Sequence, residues 1–249
     1  TGKFAMENDP EHRLEGTPGF QEANNRQIRE FSSGGLAGVW AEANTREAIF
    51  DAIRRKETFA TSGVRLRVRF FGGYGFADDM LAAGDWIERA YAEGVPMGGD
   101  LPADPGNRVP TFAIYATKEA DGANLDRIQM VKGWVDAAGQ SHEQIYDVAW
   151  SGDRQADANG NIPPVGNTVD AATATYANSI GATELSTVWT DPDFDPEQHA
   201  FYYVRVLEIP TPRWSTYDAV TLGIPPRDDL PVSIQERGWT SPIWYTPGQ

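Results

Sequence analysis

Several residue types and motifs that carry enzyme chemistry are scarce or absent in this sequence of 249 residues. It has no cysteine, which excludes disulfide bonds and thiolate metal sites and leaves the cellular compartment open. With three histidines and no G-x-S-x-G elbow, it gives poor support for a Ser-His-Asp hydrolase. Phosphate-binding loops and dinucleotide fingerprints are also absent. No apolar run reaches the roughly 20 residues that a helix needs to span a bilayer, so no membrane span is predicted.

Positive charge is also in short supply. The chain has 21 Lys and Arg residues against 36 Asp and Glu residues, which gives a formal net charge of -15 at pH 7. Polyanions repel such a chain, so neither a nucleic acid nor an anionic membrane surface is expected as its main partner. A local group of arginines can still bind a small anion.

What the sequence does contain is typical of a β-rich protein. Eight Trp, nine Tyr and eleven Phe supply large apolar side chains, and 25 Gly and 17 Pro indicate many turns. We therefore predict an α+β fold that is mostly β, arranged as one large domain or two ordinary ones. The chain begins at Thr1 without Met and without a signal-peptide pattern, and we expect it to be part of a longer protein.

The stretch from Leu36 to Phe71 has the order strand, helix, short strand, turn and long strand. Asn44 is the predicted helix N-cap, because Glu47 follows three residues later and completes a capping box. After the turn at residues 61–63 the hydrophobic period changes to two. One face of the long strand is predicted to carry Leu66, Val68 and Phe70, and the other Arg65, Arg67 and Arg69.

From residue 111 onward, short runs typical of strands are separated by turn signals, a pattern that predicts a β-sandwich. The predicted strands are Thr111–Thr117, Arg127–Val135, Gln144–Trp150, Ala172–Ala177, Glu184–Trp189, His199–Ile209 and Ser241–Tyr245. The run at 201–209 is apolar on both faces for several positions, which predicts a central strand covered on two sides. Two helices are predicted at Gln21–Phe31 and Asp85–Glu93, and residues 95–106 are expected to lack regular structure.

The turn formed by Thr61, Ser62 and Gly63 is the first candidate site. Its hydroxyls and backbone N–H groups, with Arg65 nearby, are groups that hold an anionic or tetrahedral oxygen cluster. Arg46, in the first turn of the helix, supplies a second guanidinium. The alternative is that the arginines form the wet side of a half-exposed strand and pair with acidic residues, and composition alone favours this alternative.

Arg213 and Trp214 form a second candidate site, in a Pro-rich segment near the C-terminus. A ring face and a guanidinium together can form the wall of a ligand pocket. The same pair can instead seal the contact between two domains, and we favour that interpretation.

Two acidic segments have the spacing of metal ligands, and each has a simpler interpretation. Asp157, Asn159 and Asn161 alternate as in a calcium loop, but the terminal Glu of an EF-hand is missing, so a hairpin is favoured. A second alternating set is expected to be a solvated turn: Asp191, Asp193 and Asp195. No metal ligand is therefore predicted within this chain.

A family resemblance is carried by ordered motifs over nearly the whole chain. The last βαβ unit of bacterial metallohydrolases of the PHP-like, carbaryl-hydrolase-like type resembles WAEANTREAIFDAIRRKETFATSGVRLRVRFFGG. One subgroup, the DUF3604 family of unknown function, resembles the chain in GVPMGGDL, LDRIQMVKGWVD, YDVAWSGDR, PPVGNTVD, ELSTVWTDPDFDP, FYYVRVLEIPTPRW and QERGWTSPIWYTP.

The resemblance implies a longer bacterial protein with two parts. Residues 1–75 would close a PHP-like α/β hydrolase domain, and residues 111–249 would form a β-sandwich-like domain. Residues 76–110 would form the segment that connects the two, with a short helix. A divalent metal in the parent would activate water to cleave an ester, phosphoester or amide-type bond in a small-molecule substrate. Its ligands lie mostly N-terminal to this region in such proteins, so the missing hydrolase portion is an expected partner. Relatives are often exported, which leaves a periplasmic or secreted location open.

In related enzymes the corresponding turn and its neighbouring Arg lie close to the metal centre. By analogy, the resemblance implies that Thr61, Ser62, Gly63 and Arg65 contact the substrate. Ser62 stands where many relatives have Thr, and it keeps the hydroxyl. The competing hypothesis is a β-rich module without catalysis. Such a module would bind a carbohydrate through exposed aromatic rings, or bind a partner, or assemble into a homo-oligomer.

Overall fold

The computed structural model describes residues 10–15, 34–158 and 160–248. Within these ranges the fold is α+β and mostly β, with largely antiparallel sheets, as the composition predicts. None of the helices in these ranges is both long and apolar enough to cross a membrane. The helix predicted at Gln21–Phe31 lies outside the described residues.

The elements of the first half are α1 (Pro10–Glu15), β1 (Leu36–Val39), α2 (Arg46–Arg54), β2 (Thr58–Thr61), β3 (Arg67–Gly73), a 3-10 turn (Met80–Ala82), α3 (Trp86–Glu93), β4 (Gly94–Pro96), β5 (Asp100–Pro102) and β6 (Thr111–Thr117). Those of the second half are β7 (Leu125–Val135), β8 (Ser141–Trp150), β9 (Glu184–Thr190), β10 (Ala200–Glu208), β11 (Thr211–Pro212), α4 (Trp214–Leu222), β12 (Ser233–Ile234), β13 (Arg237–Thr240) and β14 (Ile243–Thr246).

Two sheets pack face to face. The larger has eight strands, in which β10 pairs with β7 along one edge and with β13 and β14 along the other. The smaller has four antiparallel strands in the order β4, β3, β6, β9. The ring centroids of Phe112 on β6 and Tyr202 on β10 lie 4.5 Å apart, inside a single apolar core that both sheets line. This arrangement is sandwich-like.

Both sheets draw on distant parts of the chain. Strand β2 pairs with β13, and β3 pairs with β6 and β4. Each sheet thus combines strands from before residue 75 with strands from after residue 110. The domain boundaries predicted at these positions do not coincide with a change of sheet.

The helix of the first stretch begins one residue later than predicted. Thr45, in extended conformation, is the N-cap, and its Oγ1 accepts a hydrogen bond from the Ala48 N–H at 3.2 Å. The strands on either side of the helix, β1 and β2, pair with each other in antiparallel fashion. The alternation on β3 is as predicted, because Leu66, Val68 and Phe70 are buried.

Three other predictions about elements are wrong. Residues 172–177 form turns with one isolated bridge, because Asp170 folds back onto Thr175 instead of extending into a sheet. Part of the segment at 95–106 joins the sheets as β4 and β5. Strand β10 is buried only on its even-numbered face, and its odd-numbered residues are half exposed, so it is not covered on both sides.

A buried ion pair connects the small sheet with the large one. Lys132 Nζ on β7 lies 2.6 Å from Asp191 Oδ2, directly after β9, and the Tyr202 hydroxyl donates to the same oxygen at 2.7 Å. Both charged side chains are almost completely buried. The expectation that Asp191 lies in a solvated turn is therefore wrong, because the inward-facing Lys132 neutralises it. A buried charge that has lost its partner is costly.

We expect Lys132→Met to lower the free energy of unfolding by about 3–5 kcal/mol, because it leaves the Asp191 carboxylate buried without its counter-ion. Arg89→Ala, which removes a surface pair with Glu93, serves as the matched control and should cost about 0.5 kcal/mol or less. Urea denaturation measures both. Equal effects of the two substitutions would show that the buried pair does not fasten the sheets.

Candidate functional site

The turn after β2 is closed by its own side chains. The Thr61 hydroxyl donates to the Val64 carbonyl oxygen at 2.5 Å, and the Gly63 N–H donates to Thr61 Oγ1 at 3.3 Å. Gly63 has a φ of 132°, a backbone conformation that favours glycine. Thr61 is buried, while Gly63 is exposed. The turn therefore holds Ser62 in a fixed position at the end of the strand.

Ser62 joins this turn to the start of β13. Its backbone N–H donates to the Arg237 carbonyl at 2.9 Å, and its hydroxyl oxygen accepts from the Arg237 N–H at the same distance. The hydroxyl donates in turn to the carboxylate of Glu236. A serine hydroxyl with one donor and one carboxylate partner is oriented, because its proton points at the carboxylate.

Arg65 brings a second carboxylate to the same turn. Its backbone N–H donates to Glu119 Oε2 at 3.0 Å, while its side chain is exposed. Between the described residues no ion pair engages the Arg65 guanidinium. The turn thus combines an oriented hydroxyl, two carboxylates and a guanidinium exposed to solvent.

A third carboxylate lies inside, at the end of β10. Glu208 is completely buried, and neither carboxylate oxygen has a hydrogen-bond partner within the described part of the chain. Burial raises its pKa to about 8, and the negative charges of Glu236 and Glu119 add to the effect against an opposing influence of Lys118. Its backbone N–H donates to the Glu236 carbonyl at 2.9 Å. Glu208 is therefore held protonated near neutral pH.

We call Ser62, Glu119, Glu208 and Glu236 the carboxylate corner. Lys118 borders it, and its Nζ donates to three backbone carbonyls, each at 2.9 Å, so its charge is held in place. The pKa of the neighbouring Tyr176 is raised by burial first, then by Tyr217, Glu208 and Glu119. With Glu208 protonated, the Glu119 and Glu236 carboxylates still outnumber the single Lys118, which leaves the corner with a small excess of negative charge.

Of the residues predicted to contact substrate, the structure brings together Thr61, Ser62, Gly63 and Arg65. Arg46 is the exposed first residue of α2, and no hydrogen bond or ion pair among the described residues joins it to that turn.

Arg213 and Trp214 lie at the start of α4. The buried Arg213 guanidinium lies 4.8 Å from the centre of the Trp214 ring and donates to Ser215 Oγ at 2.8 Å, and burial lowers its pKa. On the same helix, Asp218 forms an ion pair with Arg13 of α1 at 2.6 Å. These contacts of Arg213 are with Trp214 and Ser215 of the same helix, so the interpretation that the pair seals the contact between two domains stays a prediction.

The carboxylates of the corner are functional candidates that sequence reasoning missed. Glu236 and Glu119 lie 174 and 54 positions from their partners in the turn, and no local spacing connects them. Glu208 does have a local signal. It occupies an inward position of an alternating strand, following the buried Val204 and Val206, where an acid is out of place.

The described residues include no group of three or more His, Asp or Glu side chains that could hold a metal ion. The carboxylate corner is therefore not a metal cage by itself, and it does not fit the divalent metal expected in the parent. At the calcium-like segment, the Asp157 N–H donates to the Asn161 carbonyl at 2.9 Å, and the Asn161 N–H donates back to Asp157 Oδ1. This pairing is the turn expected there.

Comparison with known proteins gives one match. A family model described as a protein of unknown function, DUF3604, matches residues 1–247, which include every residue of the carboxylate corner. No curated protein and no solved structure matches the chain. The match describes a family and assigns no reaction to it.

The buried Glu208 predicts a specific pH dependence of stability. Its pKa is about 8 in the folded protein and near the ordinary value of 4.5 in the unfolded chain. The unfolded state therefore loses the proton first, and stability falls as the pH rises between these values, by at most about 1.4 kcal/mol per pH unit. Glu208→Gln should remove this fall. Urea denaturation at several pH values from 5 to 8 measures it, with Glu88→Gln, an exposed acid, as the control.

If the wild type and Glu208→Gln keep a constant difference in unfolding free energy across this range, Glu208 is ionised in the folded protein. The carboxylate corner would then lack its neutral acid.

Proposed function

Because this chain belongs to the DUF3604 family, whose function is unknown, we propose that it is the C-terminal part of a metal-dependent hydrolase whose reaction site borders the carboxylate corner. The hydrolase assignment rests on the resemblance of residues 40–73 to the closing unit of PHP-like metallohydrolases. Local support comes from the oriented Ser62 hydroxyl of the corner and from the exposed Arg65 side chain beside it.

One observation supports the proposal most strongly: Glu208 is a fully buried acid without a protein hydrogen-bond partner among the described residues, beside the predicted turn. A carboxyl group with a pKa near neutrality can both donate and accept a proton, which is the property of a general acid–base group. Ordinary structural carboxylates are paired or exposed, so a carboxyl that is neither needs another explanation.

The other groups of the corner fit substrate binding. Arg65 offers a guanidinium to a carboxylate or phosphate group of the substrate, and this attraction offsets the repulsion from the acidic surroundings. The Ser62 hydroxyl donates its proton to Glu236 and accepts from the Arg237 N–H, so its remaining lone pair can accept a hydrogen bond from a hydroxyl or N–H group of the substrate. This proposal assigns no role in substrate binding to Arg46, Arg213 or Trp214.

The parent's divalent metal would activate water and polarise the bond to be cleaved. Since the described residues offer no site for it, we assign its ligands to the missing hydrolase portion. Residues 1–75 would then close the hydrolase domain, and residues 111–249 would form the C-terminal domain. Residues 76–110 would be the segment that connects them. Assembly into a homo-oligomer stays a prediction.

The proposal predicts that the 249-residue chain alone has no metal-dependent turnover, whereas the polypeptide from the complete coding sequence does. Both are assayed with p-nitrophenyl esters, p-nitrophenyl phosphoesters and p-nitroanilides in the presence of Zn²⁺, Mn²⁺ or Mg²⁺. In the longer polypeptide, Glu208→Gln should lower kcat by about 100-fold, because proton transfer is lost. Ser62→Ala should raise KM or lower kcat, and Glu88→Gln should leave both unchanged.

Thermal unfolding of each variant separates loss of activity from loss of structure. Robust metal-dependent turnover by the 249-residue chain would contradict the proposal. So would an unchanged kcat in the folded Glu208→Gln variant of an active longer polypeptide.

A further inference from the structure

A shallow groove of about 520 Å³ crosses one end of the larger sheet, far from the carboxylate corner along β10. Its centre is a row of four residues that are direct cross-strand partners on neighbouring strands: Glu143 on β8, Gly133 on β7, Phe201 on β10 and Trp244 on β14. Directly paired residues point to the same face of a sheet. With strands about 4.8 Å apart, the row is about 14 Å long. We call this row, with Tyr203, the aromatic groove.

Gly133 lies at the bottom of the groove, directly beneath the Phe201 ring. A Cβ atom at this position would lie 2.3 Å from the Phe201 ring, so only glycine lets the ring lie flat over the neighbouring strand. The Phe201 ring is nearly parallel to that of Tyr203, at 13° and 6.4 Å, and its centroid is 5.3 Å from that of Trp244. Trp244 is 45% exposed. The Trp244 ring is tilted by 49° against that of Phe201, and the three rings together form a partly exposed aromatic platform outside the core.

Polar groups surround these rings. Glu143, Ser141 and His199 line the groove and are exposed. Farther along the same face, Gln129 is hydrogen-bonded on one side to Asp147 at 2.7 Å and on the other to Arg205 at 2.8 Å. The row next to the aromatic one is largely apolar and consists of Tyr203, Val131 and Ile145, so aromatic, apolar and hydrogen-bonded rows lie side by side on this face.

From this arrangement we propose that the aromatic groove binds a neutral polysaccharide. Sugar rings have an apolar C–H face that stacks on aromatic rings and hydroxyls that hydrogen-bond to carboxylate, hydroxyl and imidazole groups, and the groove offers both kinds of partner side by side. The net charge of -15 and the Glu143 carboxylate disfavour an anionic polymer. The site lies apart from the carboxylate corner and does not depend on hydrolysis.

Affinity electrophoresis of the 249-residue chain tests the proposal with hydroxyethylcellulose, xylan and galactomannan, and with polygalacturonate as the anionic polymer. We expect retardation by at least one neutral polymer and none by polygalacturonate. Trp244→Ala should weaken the apparent affinity about tenfold, because it removes the most exposed ring of the platform. Phe50→Ala is the matched control, since Phe50 is 58% exposed on α2, outside the groove, and its loss should change nothing.

Far-UV circular dichroism confirms that the variants are folded, and Glu143→Gln adds a variant that removes no ring. Three results would overturn the proposal: no retardation by any neutral polymer, retardation that Trp244→Ala leaves intact, or self-association in analytical ultracentrifugation that Trp244→Ala abolishes. The last would identify the face as a contact between copies of the chain.

Discussion

The structure depends on the hydrogen bonding of β10 along both of its edges. β7 pairs with one edge of β10 over its whole length. On the other edge, β14 pairs with the first part of β10 and β13 with the last part. The strand cannot rotate or shift, so the two-residue period fixes which side chains face inward. Its even-numbered residues close the core, and its odd-numbered residues form a half-exposed outer face. Glu208 of the carboxylate corner and Phe201 of the aromatic groove both take their positions from this strand.

Both candidate sites follow from that alternation. Glu208 is an even-numbered residue, so the end of the strand carries an acid into the interior, beside the turn that holds Ser62. Phe201 is odd-numbered and lies near the other end, so its ring is placed on the outer surface over Gly133. One strand thus supplies a buried proton-binding group at one end and an exposed stacking surface at the other. The two properties can vary independently, because they lie on opposite faces.

Local patterns predicted local structure well. The alternation around Val68 follows from a period of two, which neighbouring residues determine by themselves, and the bounds of β6 are those predicted from its short apolar run. Long-range partners were outside the reach of such patterns. The short strand β13 has no strand signature of its own, and it exists because β2 and β10 offer it two edges. Its absence from the prediction also hid the contact of Ser62 with Arg237.

The site was predicted in part for the same reason. The turn at residues 61–63 was recognisable because a hydroxyl pair before a glycine is a local feature, and Arg65 lies beside it. Glu119 and Glu236 come from distant parts of the chain. Only Glu208 has a local signal, because an acid at an inward position of an alternating strand is unusual. The capping residue was misplaced by one position because Asn44 and Thr45 are both good N-caps, and which one caps depends on where the helix starts.

The pairing of β2 with β13 also governs how the chain acquires its structure during synthesis. Thr61 lies opposite Gly238, so one edge of β2 has no partner until β13 has left the ribosome. Closing so long a loop is slow, and an open edge invites pairing between nascent chains in the meantime. A transcript truncated before the codons of β13 would therefore yield an aggregation-prone product rather than a smaller working domain.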